Sequence, residues 1–590
     1  MRSTHLQTIT DAPCDAVQAT GRKETAGECL QRCDSPHGGT LVLEGHILDP
    51  VNRRRLDGVV VVENGRIAAV EERDGIEADA PCILPGFVDA HVHIESSMLL
   101  PAEFARVALK HGTVAAVCDP HEIANVLGIE GIDYMIRNSK LTPMRLCFAA
   151  PSCVPSTQFE TSGAEVGVDD IDSLMHRHDI YALGEMMNSV GVVADDPMVM
   201  AKIASAIKAA KPIDGHAPLL TGEPLRKYAA AGISTDHECS ILPEAQEKLA
   251  LGLSILIRSG SAANNFETLE PLLANHSEKL MFCTDDKHPD DLLSGHINQL
   301  VRKAVRDGYP LWNVLHAACV EPVRHYRLPV GLLQPGDKAD FIVVDNDSDW
   351  NIVETYLDGQ PASSHNSDTQ PQPACPNQFR RNRIATADLQ TVCQSGMIRV
   401  INATDSSIIT DETIEPVLTA PDGTAAADPQ RDILKIVVAN RYNADAKPQV
   451  AFIRGFGLTR GAIASSIAHD CHNLIAVGAD DQSIAAAMNR LVEEKGGIAV
   501  CDPQSAQPVD ALPLPVAGLM SPLPAVEVAT AYQRLNNEAH SLGCPFHSPF
   551  MALSFMALPV IPHLKLTDKG LFDGDTFSFT NLFTDTPARP

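Results

Sequence analysis

The sequence contains no stretch of about 18 uninterrupted apolar residues, so it offers no membrane-spanning helix. Its first 39 residues lack the apolar core of a secretory signal, and Asp11, Asp15, Glu24 and Glu28 make them too acidic for a transit peptide. We therefore expect a cytoplasmic protein without a membrane partner, in which residues 1–39 form a flexible leader.

Basic residues are scarce relative to acidic ones. The chain has 46 Lys and Arg against 75 Asp and Glu, which gives a formal net charge of −29 at pH 7. A surface this acidic repels polyanions. The charge balance therefore predicts no nucleic-acid partner.

None of the 15 cysteines belongs to a Cys-x-x-Cys pair. This absence excludes zinc-ribbon and thioredoxin-like sites. An odd number of cysteines in a large chain suits a reducing compartment, where most thiols are small core residues. The sequence also shows no heptads and no internal repeat of solenoid length.

The composition is that of a globular protein, with 44% hydrophobic and 21% charged residues. Two β-rich runs lie at 41–44 and 59–70, and Glu63-Asn64-Gly65-Arg66 interrupts the second. Asn-Gly readily supplies both positive φ angles of a type I′ turn. A small antiparallel sheet is therefore predicted over about 40–84.

From 85 to 325, short apolar runs alternate with amphipathic stretches, a pattern typical of one (β/α)8 barrel of the TIM type. The predicted strands include Thr113–Cys118, Leu146–Ala150, Tyr181–Gly184, Ile255–Ile257 and Leu280–Cys283, and the predicted helices include Ala102–Lys110, Pro197–Ala210, Glu244–Leu251 and Ile297–Asp307.

The remaining residues predict three further parts. A β segment at 331–345 is expected to rejoin the first sheet, so that 40–84 and 326–360 form a small β-sandwich domain from both flanks of the barrel. Residues 361–389, rich in Ser and Pro, indicate a linker. Residues 390–590 are expected to form a C-terminal α/β domain, with strands near 397–401, 433–439 and 474–476 and a helix over 483–494.

Histidines and acidic residues follow several of the apolar runs: His91, His93, Glu185, His216, His237 and Asp285. His91 and His93 lie two apart on a strand, so both side chains can face one ion. The carboxyl ends of barrel strands meet at one site. Four imidazoles and two carboxylates suffice for two divalent cations, and a nitrogen and oxygen donor set suits Mn, Fe or Zn.

Taken alone, any one of these residues is more simply explained as a surface or hydrogen-bonded side chain. Glu95 and Glu122 could equally be structural carboxylates, and Ser96 and Ser97 could be helix caps. It is the recurrence at six strand ends that favours a metal centre. The cluster His469-Asp470-Cys471-His472 could be a third metal site, a lid or a hydrogen-bonded domain interface.

The segment Pro85-Gly-Phe-Val-Asp-Ala-His-Val-His resembles the first-strand motif of the amidohydrolase superfamily, and its extension Ile94-Glu-Ser-Ser is similar to the adenine deaminase family. The resemblance covers about residues 40–585. Further motifs that carry it are Asp119-Pro-His-Glu-Ile-Ala-Asn-Val, Pro151-Ser-Cys-Val-Pro, Gly184-Glu-Met-Met-Asn, Asp214-Gly-His-Ala-Pro, Arg258-Ser-Gly-Ser-Ala-Ala, Thr284-Asp-Asp-Lys-His-Pro, His469-Asp-Cys-His-Asn and Gly518-Leu-Met-Ser.

This resemblance implies hydrolytic deamination of adenine to hypoxanthine and ammonia in purine salvage, by a homo-oligomer. It implies a binuclear centre, with Mn2+ ahead of Fe2+ and Zn2+. The implied ligands are His91, His93, His216, His237 and Asp285, with Glu185 as the bridge where many relatives use a carboxylated lysine. Lys287 and Cys471 depart from the family's usual Arg and Ser, at positions that are not expected ligands.

The expected reaction is attack of a metal-bridged hydroxide on C6 of the purine. Asp285 is the expected proton shuttle. Glu122 and Glu238 are both candidates to protonate a ring nitrogen, and the sequence does not choose between them. Glu95, Ser96, Ser97 and His121 are expected substrate contacts.

Two other functions stay open at this stage. One is a cyclic-amide or amide hydrolase on the same barrel, such as a dihydroorotase or an amino-sugar deacetylase. The other is a catalytically inactive scaffold, against which all six expected ligands are present. A cytidine-deaminase-type zinc fold is excluded, because His93-x-Glu95 has no Pro-Cys-x-x-Cys partner.

Overall fold

The structure is a computed structural model that describes residues 32–33, 40–261, 263–364, 374–405 and 407–585. Most of the predicted leader lies outside the described residues. Within it, the short strand Arg32–Cys33 pairs antiparallel with the start of the strand Thr40–Asp49.

The first sheet is built from both flanks of the barrel, as the sequence predicts. Phe341 to Val344 pairs with Pro85 to Cys82, which joins the two flanks. Asn64 and Gly65 have φ angles of 51° and 75°, so the predicted hairpin is confirmed. The main strands, in spatial order, are Gln360–Pro361, Ile352–Leu357, Phe341–Val344, Cys82–Pro85, Thr40–Asp49, Arg54–Glu63 and Arg66–Glu72.

Eight parallel strands form the barrel. The first five pair in chain order and the last three pair in chain order. The fifth and sixth are joined by the Ser234 amide, which donates to the Ile213 carbonyl at 2.9 Å. The barrel strands are Phe87–Val92, Thr113–Cys118, Arg145–Ala150, Ile180–Met186, Ile213–Gly215, Thr235–Asp236, Ser254–Arg258 and Leu280–Cys283.

Asp285 closes the barrel between its eighth and first strands. The Asp285 amide donates to the His91 carbonyl at 2.9 Å, and the His93 amide donates to the Asp285 carbonyl at 3.2 Å. Side chains that follow the eighth strand are thereby fixed beside those that end the first.

Helices cover the barrel, and their ends follow local sequence rules. In Pro197–Lys208, Asp196 accepts from the Met198 and Val199 amides, and Pro197 occupies the first turn, where its missing N–H costs nothing. The four predicted helices agree with the structure to within two residues at each end. The α-helices of this region are Pro101–Lys110, His121–Leu127, Ile129–Ser139, Val168–Met175, Ser189–Val193, Pro197–Lys208, Gly222–Ala230, Leu242–Ala250, Phe266–Leu269, Pro289–Ser294, Ile297–Arg306, Leu311–Leu315 and Glu321–Tyr326.

The C-terminal region is built on an eight-stranded mixed sheet. In spatial order its strands are Asp411–Pro416, Met397–Asn402, Gln449–Arg454, Leu434–Ala439, Leu474–Gly478, Ala462–Ser465, Gly497–Cys501 and Val509–Pro513. Short strands at Leu418–Thr419, Ala425–Ala426, Leu564–Thr567, Gly570–Asp573 and Ser578–Phe579 and helices at Asp481–Glu494, Ala525–Ser541 and Pro549–Ser554 complete it.

Part of the predicted linker packs into this region. Ile384 and Leu389 are buried in the same cluster as Met488 of the helix Asp481–Glu494. The Ile384 amide donates to Asn489 Oδ1 at 2.8 Å. Residues 374–389 therefore belong to the C-terminal core, and only 365–373 of the predicted linker lie outside the described residues.

The barrel and the C-terminal region share one apolar core. The Ser521 amide donates to the Met98 carbonyl at 2.8 Å, and the Thr161 amide donates to Asp568 Oδ1 at 2.9 Å. In the described part of the chain, no helix is long and apolar enough to cross a membrane.

We expect a chain that ends at Ser364 to be insoluble or to lose cooperative unfolding, because the barrel side of this shared core would face water. The full-length chain should unfold in a single calorimetric transition. A soluble truncated chain with its own cooperative transition would contradict this expectation.

Candidate metal centre and active site

The first group of the site lies where the first and eighth barrel strands end. The Nε2 atoms of His91 and His93 are 3.1 Å apart. Asp285 Oδ1 lies 3.6 Å from the first and 3.1 Å from the second. His93 Nδ1 is 3.0 Å from the Asp119 carbonyl, which orients the ring so that Nε2 faces the shared point.

Glu185 lies between this group and a second one. Its Oε1 is 3.4 Å from His93 Nε2. Its Oε2 is 2.8 Å from His216 Nδ1 and 3.1 Å from His237 Nε2. One carboxylate oxygen thus faces each group, which is the arrangement that a bridging ligand needs.

Asp119 fixes the backbone that carries Glu185. Its Oδ2 accepts from the Glu185 amide at 2.9 Å. A Cβ at Gly184 would lie 2.2 Å from the same oxygen, so only glycine allows this close approach. The motif Gly184-Glu185 is therefore explained by the support of the bridging carboxylate.

The six predicted ligands fit a metal centre. All six are buried, and their donor atoms form overlapping groups within 4.8 Å of one another. His216 Nε2 is buried without a hydrogen-bond partner. A divalent cation would offset the lone pairs of the imidazoles and carboxylates that are buried together here.

The charge states differ among the proposed ligands, because, although burial opposes this, neighbouring carboxylates, Glu185 among them, raise the pKa of His93, His216 and His237. Burial, reinforced by His237 and His93, holds the pKa of His91 well below its usual value, so its ring is neutral. Burial alone would raise the pKa of Glu185, but His216 and His237 bring it well below its usual range. His91 and Glu185 are therefore already in the forms that bind a metal, whereas His93, His216 and His237 would release a proton when an ion binds.

Arg258, to which sequence reasoning gave no role, lies at the centre of the acidic side of the site. Its Nη1 is 2.5 Å from Asp285 Oδ2 and also contacts Glu238 Oε1, while Nη2 is 3.2 Å from Glu238 Oε2. Burial would raise the pKa of Asp285, but Arg258 brings it well below its usual range. Arg258 ends a buried strand, so the strand-end rule could have identified it.

Glu122 and His121 open the helix that follows the second barrel strand, and they meet the C-terminal cluster. Glu122 Oε1 lies 2.7 Å from His469 Nδ1, and Oε2 contacts His472 Nε2. His121 lies between Glu122 and the bridge, with Nε2 at 3.4 Å from Glu122 Oε1 and Nδ1 at 3.5 Å from Glu185 Oε1. Residues about 350 positions apart in sequence thus form one wall of the active site.

Three expected substrate contacts lie behind the wall instead of on it. Glu95 Oε1 accepts from the Ile123 amide at 3.2 Å, and Ser97 Oγ donates to the Ile94 carbonyl at 2.6 Å. Ser96 Oγ donates to Asp286 at 2.5 Å. In the described part of the chain none of the three lines the main cavity, so their contacts favour the structural role that the sequence left open.

The cavity above the site has a volume of about 420 Å³ and two unlike faces. Its floor carries five of the six proposed ligands, all but His91, with His121, Glu122, Glu238 and Arg258. Its roof comes from the C-terminal region, which supplies the apolar side chains Ile408, Phe555, Leu558 and Ile561 beside His469 and Asp470. This shape suits a flat ligand with a polar edge.

Comparison with known proteins agrees with both halves of the site. The Amidohydrolase family model matches residues 82–362, and the Adenine deaminase C-terminal domain model matches residues 407–578. The chain is 50% identical over 557 residues to an adenine deaminase of Methanosarcina mazei, covering 92% of this chain and 99% of that one.

Bacterial relatives give the same result. Identity is 49% over 548 residues with an adenine deaminase of Salinibacter ruber, covering 92% of this chain and 99% of the relative. It is 44% over 549 residues with one of Borreliella burgdorferi, covering 91% and 99%. Because these matches include both the barrel and the C-terminal region, the chain belongs to the adenine deaminase family of amidohydrolases.

Proposed function

We propose that this protein deaminates adenine hydrolytically, giving hypoxanthine and ammonia, a reaction suited to purine salvage. One observation carries the proposal. A single cavity takes its metal-binding floor from the amidohydrolase region and its apolar roof from the region that matches the adenine deaminase C-terminal domain. An amide hydrolase would not need that roof, and an inactive scaffold would not need all six buried ligands.

The proposed cofactor is a pair of divalent ions, with Mn2+ ahead of Fe2+ and Zn2+ on the family resemblance. His91, His93 and Asp285 would hold one ion, His216 and His237 the other, and Glu185 would bridge them. When bound, two such ions lower the pKa of a water molecule toward neutrality. Homo-oligomer formation, a cytoplasmic location and the absence of a nucleic-acid partner stay predictions.

Asp285 is proposed to move the proton. Its Oδ1 faces His91 and His93 on the metal side, which leaves Oδ2 for proton transfer. Arg258 orients Oδ2 from 2.5 Å. An ionised carboxylate there can take the proton of the attacking water and pass it to the departing amine.

Glu122 is proposed to protonate a ring nitrogen of the purine, whereas Glu238 is proposed to hold Arg258 in place. Both oxygens of Glu238 are bound by the guanidinium of Arg258, which does not exchange protons. The oxygens of Glu122 face the imidazoles of His469 and His472, which do and which are not proposed metal ligands. The imidazoles nearest to Glu238 Oε1, His237 at 3.5 Å and His216 at 3.8 Å, are proposed metal ligands. Although burial opposes it, contact with Glu122 raises the pKa of His469 to about 9, so a proton is available on this pair at neutral pH. His121 lines the cavity beside them as a proposed substrate contact.

The direct test is a time course of the Mn-loaded, full-length protein with free adenine, in which hypoxanthine is followed by chromatography and ammonia by an enzymatic assay. We expect the two products in equal amounts, loss of turnover with a chelator and recovery when Mn2+ is returned. Unchanged adenine together with hydrolysis of dihydroorotate or an N-acetylated amino sugar would show that the proposed function is wrong.

Asp285→Asn should lower kcat by about 10²–10⁴-fold, because the amide keeps the shape but cannot accept a proton. The matched control is Asp290→Asn, five residues along and outside the cavity lining, which should leave kcat nearly unchanged. Steady-state kinetics with metal analysis of each variant make the comparison. If Asp285→Asn keeps more than about a tenth of the activity with its metals bound, Asp285 is not the proton shuttle.

A further inference from the structure

The loop that follows the C-terminal strand Ala462–Ser465 reaches into the barrel's active site. It brings His469 and His472 against the two oxygens of Glu122, one ring on each oxygen. We propose that His469 and His472 are positioning residues, which fix the Glu122 carboxylate in the cavity wall so that it can act on the purine ring. The proposal rests on the proposed function, and it gives the C-terminal region a part in the reaction.

Glu122 needs such partners because of where it lies. Its side chain is 2% exposed, and the buried acids Glu95 and Asp470 lie near enough to interact with its charge. A buried carboxylate beside other acids would move away or take up a proton unless donors held it.

Both rings are themselves held firmly. The ring of His469 stacks on that of Phe555, with centroids 4.3 Å apart and planes 15° from parallel. The His472 amide donates to the Ala468 carbonyl at 2.7 Å, and Nδ1 of the His472 ring accepts from the Ala468 amide at 3.3 Å. Each ring is therefore oriented by a contact other than that with Glu122.

The loop is also held at the same place by one hydrogen bond to the barrel region and one within the C-terminal region. The side-chain amide of Asn473 donates to the Thr161 carbonyl at 2.9 Å, and the Tyr442 hydroxyl donates to the Cys471 carbonyl at 2.6 Å. Any shift of the C-terminal region would move the two imidazoles relative to Glu122. A pair of donors on a rigid loop is the kind of support that keeps a reacting group in its productive geometry.

The test is a double-mutant cycle with Glu122. His469→Phe and His472→Phe keep a ring but remove the donor, while His469→Asn and His472→Gln place an amide N–H near the lost Nδ1 or Nε2. We expect each Phe variant to lower kcat about 10–100-fold with a smaller change in KM, and the amide variants to recover most of that loss. In a Glu122→Gln background the Phe substitutions should cost little more, because they act through Glu122.

His540→Phe is the matched control, since His540 makes a hydrogen bond to the Phe546 carbonyl within the C-terminal region and does not line the cavity. It should keep full activity. Equal losses from His469→Phe in the wild-type and Glu122→Gln backgrounds would overturn the proposal. So would a loss of bound metal in the Phe variants, which would assign these histidines to a metal site. If the wild-type protein makes no hypoxanthine, the proposed function fails and this proposal fails with it.

Discussion

The backbone hydrogen bonds of Asp285 with His91 and His93 are the interaction on which the site depends. They close the barrel, and in doing so they set a carboxylate from the eighth strand beside two imidazoles from the first. Neither the Asp285 carboxylate alone nor the two imidazoles alone would supply all three of these ligands to the proposed ion. Glu185 reaches the same site because the fourth strand is joined to the first through the parallel pairings of the second and third strands.

A site made of buried imidazoles and carboxylates is unfavourable for folding unless each charge is offset. The structure offsets them in layers. Proposed metal ligands face one another, Arg258 lies between Asp285 and Glu238, and two histidines from the C-terminal region face Glu122. The layer farthest from the ligands comes from the C-terminal region, whose apolar core is continuous with that of the barrel.

Local sequence pattern was enough to predict the barrel and the convergence of its six strand-end residues. His91 and His93 are two apart on a strand, and Glu185, His216, His237 and Asp285 each follow a buried run, so periodicity and the geometry of parallel strands place them. Arg258 also lies at the end of a buried strand. A single arginine in that position does not form a recognisable sequence motif, so its role was not predicted.

The pairing of Glu122 with His469 and His472 could not be predicted in this way. It joins residues about 350 apart through the docking of two regions, and no periodicity encodes that docking. Ser96 and Ser97, which the sequence predicts as substrate contacts, lie outside the lining of the main cavity for a related reason. They adjoin the ligands in sequence, but the 3-10 turn Ile94–Ser97 directs them into the layer behind the cavity.

The proposed function requires two ions and a purine to occupy the cavity between the barrel and the C-terminal region together. Anomalous diffraction at the manganese edge, on crystals of the full-length protein grown with Mn2+ and hypoxanthine, locates all three. We expect two anomalous peaks, one among His91, His93 and Asp285 and one between His216 and His237, with Glu185 touching both. The purine should lie beneath Phe555 with a ring nitrogen beside Glu122. A single peak, or a purine bound outside this cavity, would contradict the account.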